Sequence, residues 1–245
     1  MKALLAAALL MPLAASAGID WRGDFESGDL SQWGYLTLPA GLSLEESCVY
    51  EGRYAGRVEI TGDEQFLWQG NEQLNRSEFH HKPADTAEGD DTYFGWSFYL
   101  PAPLSAKPHE IGYWESDQSW QQQMRFTLSG TDFSFQKSDA TEVFWNKENF
   151  AVPGIWHDVT MHIHWSTDAA KGFVKVWLDG EYMGEDTFQT RVNDADRMFT
   201  QIGLLRSRED SREVILIDNV REGTSMASIM GEFDLDTPVT CKAAP

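Results

Sequence analysis

The chain is written in short stretches where apolar and polar residues alternate, punctuated by Gly, Asn, Asp and Pro. The clearest runs from Ile155 to Gly180. Val159, Met161, Ile163 and Trp165 fall on one face; Thr160, His162 and His164 fall on the other. That period of two predicts a half-buried antiparallel strand. Phe173–Leu178, rich in β-branched and aromatic residues, predicts a second strand. Asp179-Gly180 then predicts a tight turn, because glycine accepts the positive φ of a type I′ hairpin. Further strands are predicted over Ala55–Ile60, Ser77–His81, Tyr93–Leu100, Met124–Leu128, Asp132–Gln136, Phe199–Leu204 and Val214–Val220. Helical periodicity is weak, and no repeat, low-complexity run or linker interrupts the pattern. Many short strands at this spacing predict an all-β protein, an antiparallel β-sandwich or jelly roll folded as a single domain.

The first 17 residues break the pattern. One lysine precedes a short apolar run that ends in Ala15-Ser16-Ala17, the form of a cleaved secretory leader. The run is too short to span a bilayer, and no later stretch is apolar enough to insert. The expectation is a leader over 1–17, a domain over 18–245, and a secreted or periplasmic monomer. Cys48 and Cys241 are the only cysteines. In an oxidising compartment they either pair, tying the tail to an early strand, or remain buried thiols. The formal net charge is −20. It excludes nucleic acid as a natural partner and opposes a polyanionic polysaccharide unless the binding cleft is locally basic. The 10 Trp and 14 Phe supply a core, and exposed ones supply faces on which sugar rings stack.

Tyr93-Phe94-Gly95-Trp96-Ser97-Phe98-Tyr99-Leu100-Pro101 and the 155–180 hairpin carry a resemblance across most of the chain. It is to the jelly-roll (concanavalin-like) polysaccharide lyases related to glucuronan lyase and heparin lyase I. The resemblance implies β-elimination on a uronate-containing polymer, with no organic cofactor. That chemistry needs a group to neutralise the uronate carboxylate, a base for the C5 proton and an acid for the departing O4. Related lyases carry Arg-Ser/Thr-Glu-Leu on a cleft strand, and here the match is Arg76-Ser77-Glu78-Phe79. Alternation places Arg76, Glu78 and His80 together. Arg76 is expected to bind the carboxylate, Glu78 to hold Arg76 and contact substrate, and His80 or Tyr113 to act as base.

Two positions depart from the family. Where Gln-Trp-His is expected, the chain has Tyr113-Trp114-Glu115, so Tyr113 and Glu115 are the catalytic candidates there. Where Gly-x-Tyr is expected, Gly203-Leu204-Leu205 supplies a leucine, which moves no proton. Trp114, Gln123, Arg125 and Lys137 are the further expected substrate contacts. Two other readings stay open. Glu110 to Glu115 resembles, in part, the carboxylate strand of retaining β-glucanases, and a cleft without the usual His and Tyr also suits a non-catalytic glycan-binding module. Jelly rolls of this kind often hold a structural calcium between their opening and closing segments, for which Glu26 and Asp218 are the expected ligands. His162 and His164 share a strand face but lack a third ligand nearby in sequence, so a solvated pair is expected.

Overall fold

The alternation over 155–180 folds as two adjacent hairpins. In the computed structural model, strands Trp156–His164 and Phe173–Leu178 pair antiparallel, with Val159 opposite Leu178 and Ile163 opposite Val174. The turn at Asp179-Gly180 has φ of 49° and 77°, both left-handed, as a type I′ turn requires. Val159, Met161, Ile163 and Trp165 are fully buried. The structure describes residues 18–64, 66–68, 72–138, 142–230 and 241. The predicted leader, 1–17, lies outside the described residues.

The strands in chain order are β1 (Ile19–Gly23), β2 (Tyr35–Thr37), β3 (Leu42–Glu45), β4 (Ala55–Ile60), β5 (Phe66–Trp68), β6 (Glu72–His81), β7 (Asp91–Tyr99) and β8 (Pro108–Ser116). They continue with β9 (Gln122–Ser129), β10 (Asp132–Lys137), β11 (Val143–Lys147), β12 (Trp156–His164), β13 (Phe173–Leu178), β14 (Glu181–Thr187), β15 (Met198–Ser207) and β16 (Glu213–Gly223). One short helix, α1 (Met226–Met230), follows. They form two eight-stranded antiparallel sheets. The first runs β14-β13-β12-β7-β16-β4-β3, with β1 on β16; the second runs β11-β10-β9-β8-β15-β6-β2, with β5 on β6. The two sheets pack face to face as one jelly-roll sandwich.

The inward faces supply a continuous aromatic core. Phe79, Trp96, Phe98, Phe126, Phe133 and Trp165 are all at or below 1% exposed. Each buried side chain of this size contributes on the order of 1.5–3 kcal/mol by leaving water. Trp114 belongs to this layer: it is 1% exposed and packs edge-on against Phe94 and Trp165. Its expected role as a substrate contact is therefore corrected. Strand alternation turns it away from the face that carries Tyr113 and Glu115.

The opening and closing strands meet. β1 lies along β16, with Gly23 opposite Val220. Cys48 and Cys241 form a disulfide, with their Cα atoms 4.1 Å apart. Glu26 and Asp218, the two residues expected to ligate calcium, accept backbone N–H groups. Glu26 Oε1 accepts the backbone N–H groups of Arg53 and Tyr54 at 2.7 and 2.8 Å. Asp218 Oδ2 accepts those of Tyr50 and Glu51 at 2.8 and 3.2 Å, and its Oδ1 accepts that of Asn219 at 2.7 Å. Burial pushes the Asp218 carboxyl well above its ordinary range. Among the described residues, no three His, Cys, Asp or Glu side chains gather as metal ligands. These carboxylates hold the turn at 50–54 by accepting its N–H donors.

Candidate active site

The outer face of the second sheet forms a cleft with two arms, of about 800 and 690 Å³, which share Arg76, Glu115 and Trp120. One arm is polar, lined by residues such as Glu110, Gln122, Arg125 and Gln136. The other is largely aromatic, lined by Tyr35, Phe66, Trp120 and Phe199 together with His80. The first sheet contributes no residue to either arm.

Alternation along β6 aims Arg76, Glu78 and His80 outward and buries Phe79 in the core. Gly203, on the neighbouring β15, lets the strands close up beside them, since a Cβ there would lie 2.3 Å from the Ser77 carbonyl oxygen. Arg76 is only 6% exposed. Its Nε donates to Glu78 Oε2 at 2.7 Å, and its Nη2 donates to the same oxygen. Nη2 also donates to the Tyr113 hydroxyl and to Gln201 Oε1, both at 2.9 Å. Phe66 covers the guanidinium at 4.5 Å. Burial opposes the charge on Arg76, but Glu78 and the neighbouring acids hold its pKa above the ordinary value. Nη1 makes no hydrogen bond among the described residues and is left to face the cleft.

Gln201, on β15, is the residue that sequence reasoning missed. Its Nε2 donates to Glu115 Oε1, so one amide ties Arg76 to Glu115. The signal that could have found it is its position four residues before Leu205 on the same strand face. Burial, reinforced by the charge of Glu78, pushes the Glu115 carboxyl up to about 8. Burial, followed by Glu78, also raises the Tyr113 phenol well above 10.0, so it stays protonated. His80 goes the other way. Burial, with Arg76 nearby, brings its pKa down to about 3, and a ring nitrogen, Nε2, lies 2.6 Å from Thr37 Oγ1. It is a neutral imidazole of low basicity.

Bulges decide which neighbours reach the cleft. Against β9 the register of β8 shifts between Glu110 and Gly112, so Glu110 and Tyr113, three apart, share the cleft face. A second shift sets Glu115 opposite Gln122. Gln122, not Gln123, therefore lines the polar arm, where its Nε2 donates to Glu110 Oε2 at 2.6 Å. This corrects the expectation for Gln123, which is the bulged residue. Arg125 does reach the cleft, its Nη1 donating to Glu110 Oε1 at 2.8 Å. The Gln136 side-chain oxygen accepts from Arg125 Nε and Nη2 at 2.8 and 2.9 Å. Lys137 is corrected as well: its neighbours Gln136 and Ser138 take the cleft positions, and Lys137 pairs at 3.5 Å with Glu142. Leu205 lines the polar arm, and its strand neighbours are Arg76 on one side and Glu110 on the other. His162 and His164 lie on the first sheet, away from the cleft, and share Asp91 at 2.7 and 3.2 Å.

A long open cleft on a jelly-roll sheet, with aromatic platforms and titratable groups at its centre, defines a carbohydrate-active protein. The chain belongs to the polysaccharide lyase family, whose model matches residues 25–221. No curated protein matches the sequence. Among solved structures, it is similar to an endo-β-1,4-glucuronan lyase from the fungus Trichoderma reesei, with 18% identity and a TM-score of 0.65 over 84% of this chain and 94% of that one. It is also similar to the alginate lyase Aly36B, with 13% identity and a TM-score of 0.53 over 84% of this chain and 92% of that one. A glycoside hydrolase family 131 catalytic domain from Coprinopsis cinerea shows 12% identity and a TM-score of 0.58, over 92% of this chain and 98% of that one. At these identities the structural likenesses establish the shared fold.

Proposed function

We propose that this polysaccharide lyase acts on a uronate-containing polymer by β-elimination. The observation that carries the reading is the buried Arg76 guanidinium where the two arms meet, with Tyr113, Glu115 and Gln201 grouped around it. Nη1 of Arg76 binds and neutralises the uronate carboxylate, and Glu78 holds the guanidinium in place. Glu115 stands where the resemblance leads one to expect a histidine. With its pKa near 8 it does a histidine's work: its carboxylate removes the C5 proton as the C4–O4 bond breaks and the C4=C5 double bond forms. Tyr113, held protonated, gives its proton to the departing O4, and Arg76 stabilises the phenolate that results. His80, with its low basicity, contacts substrate in the aromatic arm rather than acting as base.

One observation favours a second reading. Glu110 and Glu115 open into the same arm, one held by Arg125 and Gln122, the other with a raised pKa. That is the division of labour of a retaining glycosidase. Incubation with glucuronan, alginate, heparin-type and neutral glycans separates these readings. Lyase action raises the unsaturated-uronate absorbance together with reducing ends. Reducing ends without that absorbance would establish the glycosidase, and binding with neither would establish a glycan-binding module.

Export is also proposed, to the periplasm or beyond. The leader-like 1–17 and the Cys48–Cys241 disulfide support it, because such bonds persist in oxidising compartments. Intact-mass measurement of the exported protein is expected to give a chain beginning at Gly18; a chain retaining Met1 would refute cleavage.

A further inference from the structure

We infer that the substrate is a sparsely charged heteropolysaccharide, with isolated uronates flanked by neutral sugars, rather than a homopolyuronate. The inference rests on the β-elimination reading above and concerns what occupies the cleft on either side of the reacting uronate.

Five Lys and Arg side chains line the two arms, and each already holds a carboxylate. Arg76 pairs with Glu78, and Arg206 with Glu213. Lys82 pairs with Asp117 at 2.6 Å, Lys107 with Glu209 at 3.1 Å, and Arg125 with Glu110 at 2.8 Å. The five positive charges are matched by five negative ones, and Glu115 adds a sixth acid. The internal residues outside the described set, 65, 69–71 and 139–141, contain no lysine or arginine. The cleft is therefore not the locally basic channel that could offset a net charge of −20.

A homopolyuronate brings one carboxylate per sugar. At the centre Arg76 receives one of them through Nη1. On either side, every further carboxylate would meet cations already neutralised by acids, so it gains little local attraction to offset repulsion by a net charge of −20. The lining suits neutral sugars instead. In one arm Tyr35 and Trp120, 64% and 54% exposed, offer ring faces for pyranose C–H groups. In the other, Gln122, Gln136 and Ser138 offer amides and a hydroxyl to sugar hydroxyls.

The test varies charge density while keeping linkage constant. Glucuronan and alginate are each compared with the same polymer after partial chemical reduction of its carboxyls to primary alcohols. Initial rates of unsaturated product, per remaining uronate, are measured from low to high NaCl. At low salt the partly reduced polymer is expected to be cleaved about tenfold faster or more. Cleavage of the native polymer is expected to accelerate as salt screens its repulsion over a Debye length that shrinks to about 3 Å at 1 M. Faster cleavage of the native polymer, with a rate that falls as salt rises, would overturn the inference and leave β-elimination standing. No unsaturated product from any of the four polymers would overturn β-elimination itself, and this inference with it.

Discussion

Arg76→Ala is expected to abolish unsaturated product and to destabilise the fold by about 3–5 kcal/mol, the cost of leaving a buried carboxylate without its partner. The stranded group is Glu78, 1% exposed, whose Oε1 already lacks a hydrogen-bond partner among the described residues. Loss of activity in this variant alone would not separate chemistry from unfolding. The double variant Arg76→Met with Glu78→Gln does so, because it removes both charges while keeping similar volumes. It is expected to recover most of the lost stability in chemical denaturation and to form no product. Product formation by a folded double variant would remove Arg76 from the mechanism.

Glu115→Gln is expected to abolish unsaturated product and to stabilise the protein above neutral pH. In the folded chain the Glu115 carboxyl titrates near 8, against an ordinary value of 4.5. Between those values the folded state holds a proton that the unfolded state has released, so wild-type stability falls as pH rises through this window. The full effect has an upper bound of about 5 kcal/mol, complete above pH ~8. Glutamine does not ionise, and its carbonyl can still accept from Gln201, so the variant escapes the penalty. Thermal unfolding of both proteins at pH 5 and pH 9 is expected to give a difference that appears mainly at pH 9. The wild-type rate profile carries independent information. A catalytic base gives activity that rises with pH through about 8, whereas an acid gives activity that falls there. A falling limb would favour the glycosidase reading.

The residues that depart from the family pattern acquire a physical reading in the folded chain. A glutamate in place of histidine is a poor base at an ordinary pKa, but burial beside Glu78 brings it into the range where histidine works. A leucine in place of tyrosine removes one phenol, yet Tyr113 supplies another, bonded to the same arginine that would bind the uronate. Only an expectation of spatial neighbours could have revealed either compensation. Glu115 and Gln201 are far apart in sequence and join through β8 and β15.

Periodicity was enough for most of the architecture. The alternation of Val159, Met161, Ile163 and Trp165, the Asp179-Gly180 turn and the outward trio Arg76, Glu78 and His80 were legible because strand geometry repeats every two residues. The same rule is why Gln123 and Glu110 were misplaced or left unresolved. Gln123 and Glu110 lie beside register shifts between β8 and β9, where one inserted residue exchanges the two faces of a strand; Lys137 follows the unbroken alternation of β10, on the side of Phe133 and Phe135 and opposite Gln136. The edge strands β1, β2, β3, β5, β11 and β14 were missed because they are short, or exposed on both faces, and carry little alternation. The sandwich, its core and the strand that carries Arg76 are legible from local alternation and turn chemistry, which encode them residue by residue. The bulge-set lining of the cleft, the raised pKa of Glu115 and the pairing of the cations there arise on folding, because burial and neighbouring charge depend on residues that meet when the sheets assemble.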